Sequence, residues 1–189
     1  MLRRSSISLT FLAIAICATP ALALAEPATP TLSPRDVEVL TTVLTHFATR
    51  NDTWPANPGG CIAIEPKTAS TDWLLSGLLQ SGPLRKVVPA AVIPDLTKRN
   101  AGPHLVPADL ARAAHVRIQT REEAGDFIMD NHEIATLITP YTPGYSSDGT
   151  QAMVVLSFNW SIHTGYVIYV LRLKEARWSV VKSYIDAFL

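Results

Sequence analysis

The densest run of chemically active side chains is Asp130-Asn131-His132-Glu133, which places an imidazole among carboxylates within four positions. His132 and Glu133 could serve as an acid–base pair, because imidazole and carboxylate groups exchange protons readily. A helical zinc-protease site would need a second histidine four residues after the first, where this chain has Thr136. The run therefore predicts either a polar helix end capped by Asn131 and His132 or an acid–base site.

A second candidate is the segment Trp160-Ser161-Ile162-His163-Thr164, which lies between two strand-like runs. An exposed tryptophan beside a turn is a common anchor for a protein partner, so Trp160 and His163 are the predicted binding residues. His163 is also a candidate acid or base alongside His132 and Glu133.

Other catalytic and metal patterns are weaker. The stretch from Gly144 to Gly149 is one residue out of register with the serine nucleophile elbow, and it lies in a predicted hairpin rather than a strand-to-helix turn. The five histidines are scattered and show no metal-ligand spacing. We therefore predict no metal site and no cofactor.

The N-terminus has the order of a cleavable signal peptide. Arg3-Arg4 is followed by an apolar run over residues 9–18 and a small-residue ladder over residues 21–25. We predict cleavage between Ala25 and Glu26 and export to the periplasm or the medium. The apolar run is about ten residues, short of the roughly 20 that span a bilayer, so no membrane anchor is expected after cleavage.

The charge balance argues against nucleic acid as a partner. The 16 basic side chains equal the 16 acidic ones in number, and loss of Arg3 and Arg4 leaves acidic residues in a small excess. The densest remaining basic clusters are the pairs Arg85-Lys86 and Lys98-Arg99, whereas nucleic-acid binding needs a basic face.

Cys61 is the one cysteine left once Cys17 leaves with the signal peptide, so no disulfide can form within the mature chain. Cys61 could be buried and inert, pair with a second chain, or act as a nucleophile. A lipoprotein signal at Cys17 and a twin-arginine signal at Arg3-Arg4 are alternatives to the simple signal peptide, but Ile16 and Ser5-Ser6 fit them poorly.

The remaining chain, residues 35–189, is predicted to be a single α+β domain behind a proline-rich linker over residues 26–34. Ser33, Pro34 and Asp36 mark the start of a helix that continues to about Arg50. Its predicted inner face holds Val37, Leu40, Val43, Leu44 and Phe47.

Four strand-like runs, at residues 134–138, 151–159, 165–173 and 178–185, predict a C-terminal antiparallel β-meander. Asp148-Gly149 and residues 174–177 are its predicted turns, and Trp178 and Tyr184 should share one face of the last strand. We expect the N-terminal helix to pack on this curved antiparallel sheet. Shorter predictions are strands at 61–64 and 116–119, helices at 70–79, 107–114 and 122–130, and a segment at 87–107 that wraps the core without forming it.

The C-terminal half resembles a loose group of small exported bacterial proteins of unknown function. The resemblance rests on residues 143–155, Gly165 to Leu171, Trp178 to Val181 and the pair Arg99-Asn100. Members of that group often carry a cysteine- and glycine-rich loop between two hairpin strands, and Trp160–Thr164 stands in that place here. The resemblance implies a fold but no activity.

Two functional classes follow from these patterns. The first is an exported, non-enzymatic binding or interaction module for a protein partner or a small ligand. The alternative is a small enzyme of hydrolase or isomerase type, with His132, Glu133 or His163 as acid or base in a cleft between the helix and the sheet.

The export prediction is checked by the intact mass of the protein recovered from its native compartment. We expect a chain that begins at Glu26 or within two residues of it. A mature protein that still carries Cys17, or that is lipidated there, would contradict the prediction.

Overall fold

The structure, a computed structural model, describes residues 28–49, 61–70, 77, 88–126, 134–160 and 163–188. The strands are β1 (Cys61–Ile64), β2 (Arg117–Ile118), β3 (Ile134–Pro140), β4 (Gly144–Tyr145), β5 (Gln151–Trp160), β6 (His163–Lys174) and β7 (Arg177–Phe188). The helices are α1 (Pro34–Thr49), a short 3-10 helix (Ala90–Val92), α2 (Ile93–Arg99), α3 (Ala108–Ala114) and α4 (Arg121–Asp126). None of them is long and apolar enough to cross a bilayer.

The strands form one mixed seven-stranded sheet in the order β2-β1-β3-β5-β6-β7, with β4 paired to β5. The α+β class and the antiparallel meander β3-β5-β6-β7 are confirmed. The sheet is not purely antiparallel, however, because β1 lies parallel to both β2 and β3. The predicted short strand at 61–64 therefore extends the meander on the β3 side.

Helix α1 begins where the sequence predicts, through a reciprocal cap. The Ser33 hydroxyl accepts the Asp36 N–H at 3.3 Å, and the Ser33 N–H donates to the Asp36 carboxylate at 2.9 Å. The inner face of α1 is formed by Val39, Leu40, Val43, Leu44 and Phe47. Val37, which was predicted to face inward, is only partly buried.

Apolar layers cover both faces of the sheet. On one face α1 and α3 pack against side chains such as Val154 and Val167, and together they form the main core. On the other face Val88, Val92 and Leu96 pack against Met153, Val155 and Ile168 as a second core.

The second core corrects the prediction that residues 87–107 only wrap the core. Pro89 precedes the 3-10 helix as its cap residue, and Pro94 lies in the first turn of α2. Proline is tolerated at both places because the first N–H groups of a helix have no partner within the helix.

The segment predicted as a linker is part of the packed structure from residue 28 onward. The Leu32 N–H donates to the Leu105 carbonyl at 3.1 Å, and the Leu105 N–H donates to the Pro30 carbonyl at 2.8 Å. The Leu32 side chain is buried in the main core. An extended, proline-containing segment can pair in this way because its carbonyl groups remain acceptors.

Asp95 in α2 and Asn100, the residue that caps the end of α2, bond backbone groups where β3 passes into β4. Asn100 accepts the Thr142 N–H at 2.7 Å and donates to the Thr142 carbonyl at 2.9 Å, and Asp95 accepts the Tyr145 N–H at 2.8 Å. A Cβ added at Gly144 would lie 2.6 Å from the Leu96 Cα, so the helix and the strand touch through their backbones. Glycine is required at that contact.

A bulge in β7 overturns the prediction that Trp178 and Tyr184 share a face. Val180 pairs with Leu171 and Lys182 with Val170, which leaves Val181 without a partner in β6. One extra residue reverses the alternation of side chains along a strand. Trp178 therefore packs in the main core and Tyr184 against the second core.

Both hairpin turns contain residues with positive φ, but the types of these residues differ. Gly149 has a φ of 70°, which confirms the positive φ predicted for the Asp148-Gly149 turn. The turn between β6 and β7 consists of Glu175 and Ala176, with φ values of 49° and 58°. Neither residue favours the left-handed region, so the β6–β7 turn is strained.

Several predictions lie outside the described residues. These are the signal peptide at 1–25, most of the helix at 70–79 and the end of the helix at 122–130. The described part of that last helix is α4, and the short elements at 107–114 and 116–119 are confirmed as α3 and β2.

Replacing Gly149 tests the role of the first turn. We expect Gly149→Val to lower the free energy of unfolding by about 1 kcal/mol or more, because a β-branched residue at positive φ is strained. Ser147→Ala, an exposed change in the same turn, should stay within about 0.5 kcal/mol. Urea midpoints measure both changes, and two midpoints equal to the wild-type value would contradict the expectation.

Candidate functional site

A cleft of about 640 Å³ lies beside β4, between the start of α1, the helix α2 and the β4–β5 turn. It is the best candidate site because cationic, acidic and hydroxyl side chains from three separate segments meet there. The described residues that line it are Arg35, Ala91, Pro94, Asp95, Lys98, Arg99, Tyr145, Ser146 and Ser147.

The cleft is organised by Asp36, a fully buried carboxylate just behind its lining. Both carboxylate oxygens contact the Arg99 guanidinium, at 2.9 and 2.7 Å. The Ser33 hydroxyl donates to Asp36 at 2.6 Å and the Tyr145 hydroxyl at 2.9 Å. A buried charge is tolerated only when it is paired and fully hydrogen-bonded, and Asp36 has both kinds of partner.

Tyr145 connects Asp36 to the cleft. Burial raises the pKa of the Tyr145 hydroxyl far above its usual range, and the neighbouring Asp36 carboxylate raises this pKa further. The hydroxyl therefore keeps its proton and acts as a donor to Asp36. The guanidinium carbons of Arg35 and Arg99 lie 4.1 and 5.1 Å from the centroid of the Tyr145 ring, within cation–π range.

Arg35 is exposed, yet its guanidinium group is held in place. The Arg35 Nη2 donates to the Gly149 carbonyl at 2.6 Å, and the group lies 5.4 Å from the centroid of the Trp178 ring as well as over Tyr145. An arginine fixed in this way loses less conformational entropy when it binds a ligand. It forms one wall of the cleft.

The last turn of α2 supplies the other cations. Arg99 uses its Nη2 on Asp36 and its side chain is 26% exposed. The Lys98 side chain is exposed and makes no hydrogen bond or ion pair with the described residues. Asp95, one turn earlier, is the one carboxylate in the described lining, and one of its oxygens accepts the Tyr145 N–H.

The β4–β5 turn closes the cleft and is rigid by its own hydrogen bonds. The Ser146 hydroxyl donates to Asp148 at 2.6 Å and accepts the Gln151 N–H at 3.0 Å. Hydrogen bonds lower the pKa of Asp148 to about 2. The Ser146 hydroxyl makes the largest contribution, and the N–H and the hydroxyl of Thr150 make the next largest. Ser146 is thus occupied within the turn, whereas Ser147 is exposed beside the cleft.

A second cleft of about 420 Å³ lies on the other side of Lys98 and Arg99. It is lined by Ala28, Thr29, Pro30, Lys98, Arg99, Gly102, Pro103 and His104. The His104 Nδ1 is 3.1 Å from the Thr142 hydroxyl, which in turn is 3.2 Å from the Thr68 hydroxyl. Thr142 and Thr68 are buried, so this network fixes the imidazole ring on one side of the second cleft.

The predicted site residues lie elsewhere. His132 and Glu133 are outside the described residues. Trp160 ends β5 and His163 begins β6, and the two are paired across the hairpin, so the strands extend into the segment predicted as a loop. Their side-chain positions are not described, and neither residue is among the described lining of the two clefts.

Sequence reasoning missed the cleft residues themselves. Asp36 has the features of an ordinary capping acid, and Lys98-Arg99 those of an ordinary basic pair. Its partners Arg99 and Tyr145 are 63 and 109 positions away in the chain, so no local spacing joins them to Asp36. The available signals were the capping serine and the basic pair, and only folding brings them together.

Comparison with known proteins adds no assignment: no protein-family model, no curated protein and no solved structure matches this chain.

The Asp36–Arg99 pair should be far more important for stability than the exposed pair Arg121–Glu65. Arg99→Met removes the cation and leaves the buried Asp36 carboxylate without an ionic partner. We therefore expect the free energy of unfolding to fall by about 3 kcal/mol. Arg121→Met breaks an ion pair of 3.3 Å in which the arginine is 67% exposed, and it should cost less than about 1 kcal/mol.

Urea unfolding of the two methionine variants and of Asp36→Asn combined with Arg99→Met measures the difference. The double variant should recover part of the loss because no charge remains buried. Equal losses in Arg99→Met and Arg121→Met would show that Asp36 does not depend on its arginine.

Proposed function

We propose that the protein is an exported binding module that holds an anionic ligand in the cleft beside β4. The observation that carries this proposal is the convergence of Arg35, Lys98 and Arg99 on one cleft. The whole chain has equal numbers of basic and acidic residues, so this local excess of positive charge is a property of the fold. The export part of the proposal rests on the signal-peptide pattern.

The two arginine side chains of this site are held in position before a ligand binds. Arg35 is held by the Gly149 carbonyl and by two aromatic rings, and Arg99 is held by Asp36. Arginine matches the planar geometry of a carboxylate, and Lys98 adds a mobile point charge between these fixed groups. Such an arrangement lowers the entropic cost of binding an anion.

The composition of the cleft favours binding over acid–base catalysis. Its described lining contains no imidazole and no thiol, and its one carboxylate, Asp95, already accepts a backbone hydrogen bond. The Ser146 hydroxyl is engaged in its own turn. A nucleophile with an adjacent base, the minimum for acyl transfer, is not present among these residues.

The proposal is tested by titrating the purified exported protein with citrate and with inorganic phosphate at low salt. We expect amide chemical shifts to change at Lys98, Arg99 and Ser147 on binding. Lys98→Gln should weaken binding about fivefold or more, because it removes a charge that contacts the ligand and supports no other described residue.

Lys174→Gln is the matched control, since it removes the same charge from an exposed lysine beside the β6–β7 turn. It should leave the dissociation constant unchanged within error. Equal weakening in both variants would mean that only net charge matters, and no binding by the wild-type protein would overturn the proposed function.

A further inference from the structure

The two clefts are neighbours that share a wall. Lys98 and Arg99, in the last turn of α2, line both of them. The first cleft continues from these cations to Arg35 and the β4–β5 turn, and the second continues to residues 102–104 and the N-terminal segment at 28–30. A ligand bound at Lys98 and Arg99 can therefore extend in both directions.

The first cleft offers its ligand a hydrogen-bond acceptor as well as positive charge. Asp95 lies among the cations and uses one carboxylate oxygen on the Tyr145 N–H, and its other oxygen has no partner among the described residues. Asp95 would repel an inorganic polyphosphate chain, which carries charge without N–H donors. A peptide supplies carboxylates and N–H groups together.

The surfaces between the charged groups are small and apolar. Ala91 and Pro94 lie in the first cleft, and Pro30 and Pro103 in the second. Tyr145 is only 7% exposed, so it offers no face on which a nucleobase could stack. The lining suits short side chains between acidic residues.

We infer that the natural ligand is an extended acidic peptide segment of a partner protein, lying across both clefts over the end of α2. Its carboxylates bind Arg35 and the Lys98-Arg99 pair, a backbone N–H donates to Asp95, and the remainder of the peptide fills the second cleft. This inference rests on the proposed function, which requires only the first cleft.

Gly102 provides a selective way to fill the second cleft. Apart from the two chain neighbours, no heavy atom lies within 4 Å of a Cβ built at Gly102, so a side chain can begin there without a clash. Gly102→Trp should block the second cleft and leave the first intact, whereas Gly102→Ala should block neither. The two variants form a matched pair at one position.

The test measures fluorescence anisotropy with a labelled ten-residue peptide of alternating glutamate and alanine, and with a three-residue version of it. We expect the longer peptide to bind at least about tenfold more tightly to the wild-type protein, because it contacts both clefts. Gly102→Trp should remove that advantage, and Gly102→Ala should keep it. Binding of the short peptide should be the same in all three proteins.

The outcomes separate the two proposals. If Lys98→Gln weakens the long peptide but Gly102→Trp does not, the first cleft binds anions and the extended ligand is wrong. If neither variant affects either peptide, the proposed function fails as well. If an oligosaccharide of uronic acids binds as tightly as the long peptide and with the same dependence on Gly102, the assignment to a peptide is overturned.

Discussion

The Asp36 carboxylate is fully buried, and the chain can close over such a charge only if donors from several segments surround it. Those donors come from the start of α1, the end of α2 and strand β4. Satisfying one carboxylate therefore brings together three elements that the chain order keeps far apart. The cleft is a consequence, because Arg35 is the neighbour of Asp36 and Lys98 is the neighbour of Arg99.

The need of buried backbone groups for hydrogen-bond partners explains the position of α2. Every buried backbone N–H and carbonyl needs a partner, and Thr142, between β3 and β4, takes its partner from a side chain. Asn100 bonds both backbone groups of Thr142, and Asp95 accepts the N–H of Tyr145. The Asp95 and Asn100 side chains also fix the distance between α2 and the strand, which Gly144 allows to be short.

The sequence predicted the features that depend on neighbouring residues. The cap at Ser33 and Asp36, the alternating runs of the meander and the positive φ of Gly149 are all local, and each is found. Features that depend on distant residues were missed, including the parallel pairing of β1 with β3 and the burial of Asp36 against Arg99.

Two further sequence-based predictions were wrong for different physical reasons. Nothing in the residue types around Val181 marks a bulge, yet that one residue moves Tyr184 to the opposite face from Trp178. The proline-rich stretch at 87–107 looked unable to form a core because proline breaks helices. Pro89, Pro94 and Pro107 instead stand at helix starts, where the N–H they lack is not needed.

The bulge at Val181 also affects whether a strand from another copy of the protein can pair with β7. In the described part of the chain β7 pairs on one side only, so its other edge could recruit a strand from another molecule and begin aggregation. The bulge and a second irregularity near Phe188 leave only residues 177–180 and 182–186 in regular pairing with β6. The edge of β7 therefore offers no long, uninterrupted row of backbone groups for pairing with a strand from another molecule. The exposed Val181 and Ile185 side chains thus lie on an edge strand whose irregularities oppose the addition of a further strand.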